Sequence, residues 1–136
     1  MATSTYLSNP NVTVNSVSLQ DQCHGLVFTR TIEALESTAF GSTSRVYTSG
    51  LENSTLQIDL YASFATSETY ATLKSLVGTQ VTVSWSPSAT SPGTATNPTM
   101  TLTGAYLEAL PYTMALGSLG EMSITFTGGV YSVLEV

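Results

Sequence analysis

Over several stretches of this chain apolar and polar residues alternate with a period of two, and each such stretch predicts a β-strand with one dry face. The clearest covers 54–62, where Leu56, Ile58 and Leu60 point one way and Thr55, Gln57, Asp59 and Tyr61 the other. Residues 79–86 repeat the pattern with Val81, Val83 and Trp85 opposite Thr82, Ser84 and Ser86, and Pro87 ends it. So does 121–127, through Met122, Ile124 and Phe126. At 12–19 the alternation crosses a central Asn15-Ser16, which reads as a hairpin or a bulged strand. From 25 to 34, Leu26, Phe28 and Ile32 share a face, with Val27, Thr29, Thr31 and Glu33 on the other. Arg30 interrupts that apolar face, which implies an edge strand or a carboxylate partner. For 100–107 the phase puts Met100, Leu102, Gly104 and Tyr106 on one side and Thr101, Thr103, Ala105 and Leu107 on the other. Pro111 interrupts any longer central strand.

The period changes twice. Tyr70, Leu73, Leu76 and Val77 recur at helical spacing, predicting one short amphipathic helix over 67–78 with Ser67 as N-cap, Glu68 in the first turn and Gly78 just past its end. Residues 35–53 keep neither period and read as one long ordered loop. Loops of that length are uncommon in compact domains, and Phe40, Val46, Tyr47 and Leu51 give it more apolar surface than a disordered linker carries. It is expected to dock on something. Residues 87–99, rich in Ser, Thr and Pro, form a second connecting loop. After Gly128-Gly129, the tail 130–136 pairs with a sheet or reaches a neighbour. About seven strands, one helix and one long loop amount to a mainly β fold, a β-sandwich or partial barrel with one flanking helix, as a single domain over 1–136.

Composition sharpens this picture. Serine and threonine make up 42 of the 136 residues, and only 9% of the chain is charged, against roughly 25% for an ordinary soluble domain. Such a neutral surface protects a monomer poorly against association, so self-assembly is expected. The net charge is −6, and the three basic residues, Arg30, Arg45 and Lys74, are scattered, which argues against reading of nucleic acid. Cys23 has no cysteine to pair with and His24 no second histidine, so neither a disulfide nor a conventional metal cluster is expected. The N-terminus has no secretory signature and no apolar run is long enough for a membrane helix, so the default compartment is the cytoplasm. Glu33, Glu36 and Glu52 border the long loop, but solvated carboxylates are the plainer reading, and the chain has no nucleophile elbow, phosphate loop or zinc helix. No catalytic, cofactor or metal residues are expected.

The order of these elements resembles the tail tube, or major tail, proteins of long-tailed bacteriophages, in particular the short versions from phages of actinobacteria. The residues carrying the likeness are the V-T-V-N-S-V-S-L element at 12–19, Thr38-Ala39-Phe40-Gly41, Arg45, Gly50-Leu51, the strand from Ser54, the T-Q-V-T-V-S-W strand and Thr96-Asn97-Pro98. Pro111 and the short C-terminal tail depart from the pattern. The resemblance implies a non-enzymatic virion protein: a β-sandwich flanked by a helix, forming hexameric rings that stack into the tube through which the genome passes. It further implies contacts with tail terminator, tape measure and distal tail proteins, and assembly in the host cytoplasm. By position, the loop reaches a neighbouring subunit or ring, with Thr38, Phe40, Arg45, Tyr47 and Leu51 as contacts.

If the polar strand faces line the bore, Gln57, Asp59, Thr82, Ser84, Thr101, Thr103, Ser123 and Thr125 present a hydroxyl-rich, mildly negative wall past which DNA slides without sticking. Two other classes compete. One is a surface or secreted β-sandwich binding module for carbohydrate or protein, suggested by Trp85 and seven tyrosines, although Trp85 is in phase with the core residues Val81 and Val83. The other is a small hydrolase using Glu or Asp.

Overall fold

The computed structural model describes residues 10–66, 68–88, 92–95 and 97–135. Eight antiparallel strands and one helix are found among them: β1 Asn11–Val14, β2 Val17–Ser18, β3 Cys23–Glu36, β4 Tyr47–Tyr61, α1 Thr69–Leu73, β5 Gln80–Ser86, β6 Thr99–Leu107, β7 Glu121–Thr127 and β8 Val130–Leu134. The strands form one sheet in the order β2-β1-β5-β6-β7-β4-β3, and β8 pairs with β6. The Asn15-Ser16 segment is the two-residue turn of the β1–β2 hairpin, with φ of 50° and 68°, the pair of positive values that matches the twist of the flanking strands.

The sheet curls on itself without closing. Although β6, β7 and β4 separate β5 from β3, the Phe28 ring of β3 lies 5.0 Å from Trp85 of β5, and also 5.0 Å from Tyr131 of β8. The fold is thus mainly β, a partial barrel with a short helix, as the alternation predicts. Its core is the set of in-phase residues: Leu56, Ile58 and Leu60 of β4, Met122, Ile124 and Phe126 of β7, Val81, Val83 and Trp85 of β5, and Val12 and Val14 of β1, all buried.

Three sequence expectations are corrected. The phase of β6 flips partway along it: Leu102 is buried, but so are Ala105 and Leu107, while Tyr106 is exposed. A bulge causes this, because Val83 pairs with Leu102 while Val81 pairs with Ala105, so two residues, Thr103 and Gly104, oppose Thr82 alone. Gly104 supplies the positive φ of 77° that the bulge uses. The helix is shorter than 67–78. Its α-helical part is Thr69–Leu73, after which the chain tightens into three-residue turns, Leu76 N to Leu73 O and Thr79 N to Leu76 O. Gly78, at φ 81°, donates to the Leu107 carbonyl and so ties the helix exit to β6. The expected cap Ser67 lies outside the described residues. The start is anchored by the buried Thr69, whose hydroxyl accepts from Ser63 N at 2.8 Å. Finally, 35–53 is not a loop: Leu35 and Glu36 belong to β3 and residues 47–53 to β4, leaving 37–46 as the connection.

Candidate functional site

Strand β7 covers β4 only from Thr55 to Tyr61, so residues 47–54 of β4 have β3 as their one neighbour in the sheet. Those eight residues make a two-stranded ribbon that projects about 25 Å beyond the rest of the sheet. Every residue from 29 to 49 is exposed. This is why the sequence shows no strand period over 35–53: a ribbon with both faces in solvent has no dry side to mark.

The ribbon is nevertheless locally specified. In its tip, Ser37 N donates to Val46 O at 2.8 Å and Val46 N to the Thr38 hydroxyl at 2.9 Å, and Gly41 turns the chain at φ 91°. Midway, an irregularity between Ile32 and Ala34 sets Glu33 over Gly50, where a Cβ would stand 2.8 Å from Glu33 Oε2. Leu51 N donates to that same oxygen at 3.4 Å. Across the ribbon, Arg30 Nε and Nη2 donate to the two oxygens of Glu52, the carboxylate partner foreshadowed by its place on an apolar face. That hydrogen bond, and the charge with it, holds the Glu52 carboxyl below the usual range and raises Arg30. Arg45 and Glu36 make a looser pair at 3.7 Å.

Of the five residues expected to make contacts, Phe40 is fully exposed at the tip and Leu51 is 82% exposed. Tyr47 and Arg45 also face solvent, and Thr38 does so while holding the tip together. All five therefore belong to one projecting arm. The eight polar residues expected along a bore fall into two groups. Gln57, Asp59, Ser123 and Thr125 sit together on the outer face of β4 and β7, with the Ser123 hydroxyl donating to Asp59 Oδ1 at 2.8 Å and Gln57 Nε2 within 3.3 Å of both Asp59 and Ser123. Thr82, Ser84, Thr101 and Thr103 lie on the outer face of β5 and β6, where Ser84 pairs with Thr101. Both groups lie on the outer side of the one sheet, whose strands run in the order β5-β6-β7-β4.

A cleft of about 470 Å³ opens between β3 and β1, lined by Val12, Cys23, His24, Leu26, Trp85 and Met100 among others. Burial pushes the Cys23 thiol up, and the thiol donates to Gly25 O at 3.4 Å. His24 stacks on Tyr61 with ring centroids 4.4 Å apart. Trp85 is only 6% exposed and its ring lies against Phe28, so it does not present a binding platform. Glu33, Glu36 and Glu52 are each engaged within the arm. Among the described residues no group of three His, Cys, Asp or Glu side chains is placed to hold a metal.

Sequence reasoning missed one feature. Between β6 and β7 the chain forms a lobe that carries Met114, Leu116 and Leu119, with exposures of 72%, 106% and 73%. Its only signal is a cluster of apolar residues between Pro111 and Gly120 that follows no strand or helix period.

No protein-family profile and no curated protein sequence matches the chain. Solved structures do. A chain from the virion of a native gene transfer agent particle superposes with a TM-score of 0.75 at 8% identity, over 96% of this chain and 98% of that one. The tail tube of SPP1 gives 0.70 at 10% identity, covering 94% of this chain and 76% of its own. A chain of the sheath-tube complex of an extracellular contractile injection system, in the extended state, gives 0.72 at 10% identity over 98% and 93%. At identities this low the likeness concerns the fold, and it extends over nearly the whole of this chain. The curled, open antiparallel sheet with its single short helix is the fold of tail tube proteins.

Proposed function

We propose that this protein is the tube-forming structural subunit of a phage-like virion tail, a member of the major tail class. It self-assembles into hexameric rings that stack into a conduit for DNA. The observation that carries this reading, beyond the fold, is the arm. A two-stranded ribbon is marginally stable by itself in water, and one with a bare Phe40 at its tip and Leu51 along its length calls for a partner to cover it. Another copy of the same chain supplies that partner without further components, and Thr38, Phe40, Arg45, Tyr47 and Leu51 are the contacts we assign to it. Pairing between copies would also cover the free edge of β3.

We assign the polar outer side of β4, β5, β6 and β7 to the bore, with Gln57, Asp59, Ser123 and Thr125 on β4 and β7. Gln57, Asp59 and Ser123 satisfy one another there, and the group offers phosphate no cation. Thr82, Ser84, Thr101 and Thr103 continue that wall on β5 and β6. Tail terminator, tape measure and distal tail proteins are the partners such a tube meets at its ends and inside. The reading invokes no catalysis and no cofactor. Negative-stain microscopy of the purified protein tests it: tubes or six-fold rings are expected, and a strictly monomeric particle at high concentration would overturn it.

A further inference from the structure

The lobe between β6 and β7 is built as a fixed projection. Thr113 and Glu121 exchange two backbone hydrogen bonds of 2.8 and 3.2 Å at its base, Ser118 N donates to Ala115 O at 3.1 Å, and Gly117 turns at φ 83°. Ala62 N donates to Gly120 O at 2.7 Å and pins the base to the end of β4. Beside the lobe, Phe64 makes ring contacts with Tyr70 at 5.0 Å and Tyr112 at 6.3 Å. Phe64, Tyr112, Met114, Leu116 and Leu119 are each more than half exposed. Five such side chains present on the order of 500 Å² of apolar surface, at the upper end of the largest patch found on an ordinary monomer.

The place of this patch is what identifies its occupant. β4 begins with Tyr47 in the arm and ends at Tyr61, which pairs with Glu121 at the base of the lobe. The two apolar surfaces thus lie at opposite ends of one strand, separated by fourteen residue steps, about 45 Å. They cannot cover each other within a chain. We propose that the lobe is the receptor for the arm of a second copy, with Phe40 and Leu51 of one subunit seated on Met114, Leu116 and Leu119 of the next. Apolar surface rather than charge carries this contact: Arg45 near the arm tip is 77% exposed but already faces Glu36, and the receptor end carries the exposed carboxylates Glu108 and Glu121. The basic residue on that side, Lys74, holds its ammonium 5.8 Å from the Tyr70 ring. An interface joining two different ends is heterologous, and it closes into a ring or runs on as an open stack according to whether its rotation closes. This inference rests on the tube reading and adds to it the surface that receives the arm.

The test uses the full chain in three forms: unaltered, with Phe40→Ser and Leu51→Ser, and with Leu116→Ser and Leu119→Ser. Each double variant is expected to keep the monomer's thermal midpoint and to raise the critical concentration for tubes by a factor on the order of 100, since each removes two buried anchors from the contact. Mixed together, the variants retain one good arm and one good lobe between them, so paired particles of twice the mass of either should appear in mass photometry, and no longer tubes. Tubes from the lobe variant at wild-type concentration, or no paired particle in the mixture, would overturn the inference and leave the tube reading standing. Absence of tubes from the unaltered protein would remove both.

Discussion

Arg30 stands on the apolar face of β3, where Leu26 and Phe28 precede it, and it is tolerated there because the strand leaves the core at that point. Its guanidinium lies 5.5 Å from the Tyr131 ring and grips Glu52 across the ribbon. Glu52 has its carboxyl pKa lowered by that hydrogen bond, so what the pair contributes is complete above the ordinary glutamate value of 4.5 and is lost as pH falls through the lowered value. Both groups are solvated, so the effect is local to the ribbon rather than global. An NMR titration should show the Glu52 carboxyl ionising below the ordinary value in the intact protein and returning to it in Arg30→Ala. An unmoved midpoint would mean that the pair does not persist in solution.

At the scale of elements, two glycines near the junction of β6, β7 and β8 do different work. Gly104 holds φ 77° with open space where a Cβ would stand, so Gly104→Ala costs only the left-handed strain, about 1–2 kcal/mol. At Gly129 the φ is 93° and a Cβ would meet the Thr103 carbonyl oxygen at 2.8 Å, which adds a backbone collision. Gly129→Ala should therefore lower the urea midpoint more than Gly104→Ala, and the reverse order would show that the bulge, not the β7–β8 turn, is the tighter constraint. These elements also mark how far the sequence could be read. β4 beyond Ser54, β5 and β7 were legible because each has one face in water and one in the core. The flip in β6 was not, since Thr103-Gly104 inserts a residue without altering the apparent alternation. The arm was hidden for the opposite reason, as strands wet on both faces carry no period. The arm residues Thr38, Phe40, Arg45, Tyr47 and Leu51 were found as a loop, whereas Met114, Leu116 and Leu119 had no pattern to announce them. For the polar residues of β4 to β7, side-chain alternation tells in from out but not what the outside meets.

For the whole molecule, the sheet and its core are complete without the arm. Phe40 and Leu51 touch solvent, so replacing both by serine should leave the thermal midpoint within about 2 °C of the parent, as surface changes do. A collapse in stability would show that the ribbon folds back on its own domain.

The ribbon's lack of cover has a consequence for timing. A strand pair that stands about 25 Å clear of the sheet, held by its own ladder and by exposed side-chain pairs with no core against it, keeps more conformational freedom than the rest of the sheet until something packs on it. The first contact between two subunits must then bear that ordering cost with the fewest contacts to offset it, while a subunit joining an existing end meets a ready surface. On the tube reading, growth governed this way starts reluctantly and proceeds readily, so existing ends lengthen more easily than new tubes begin.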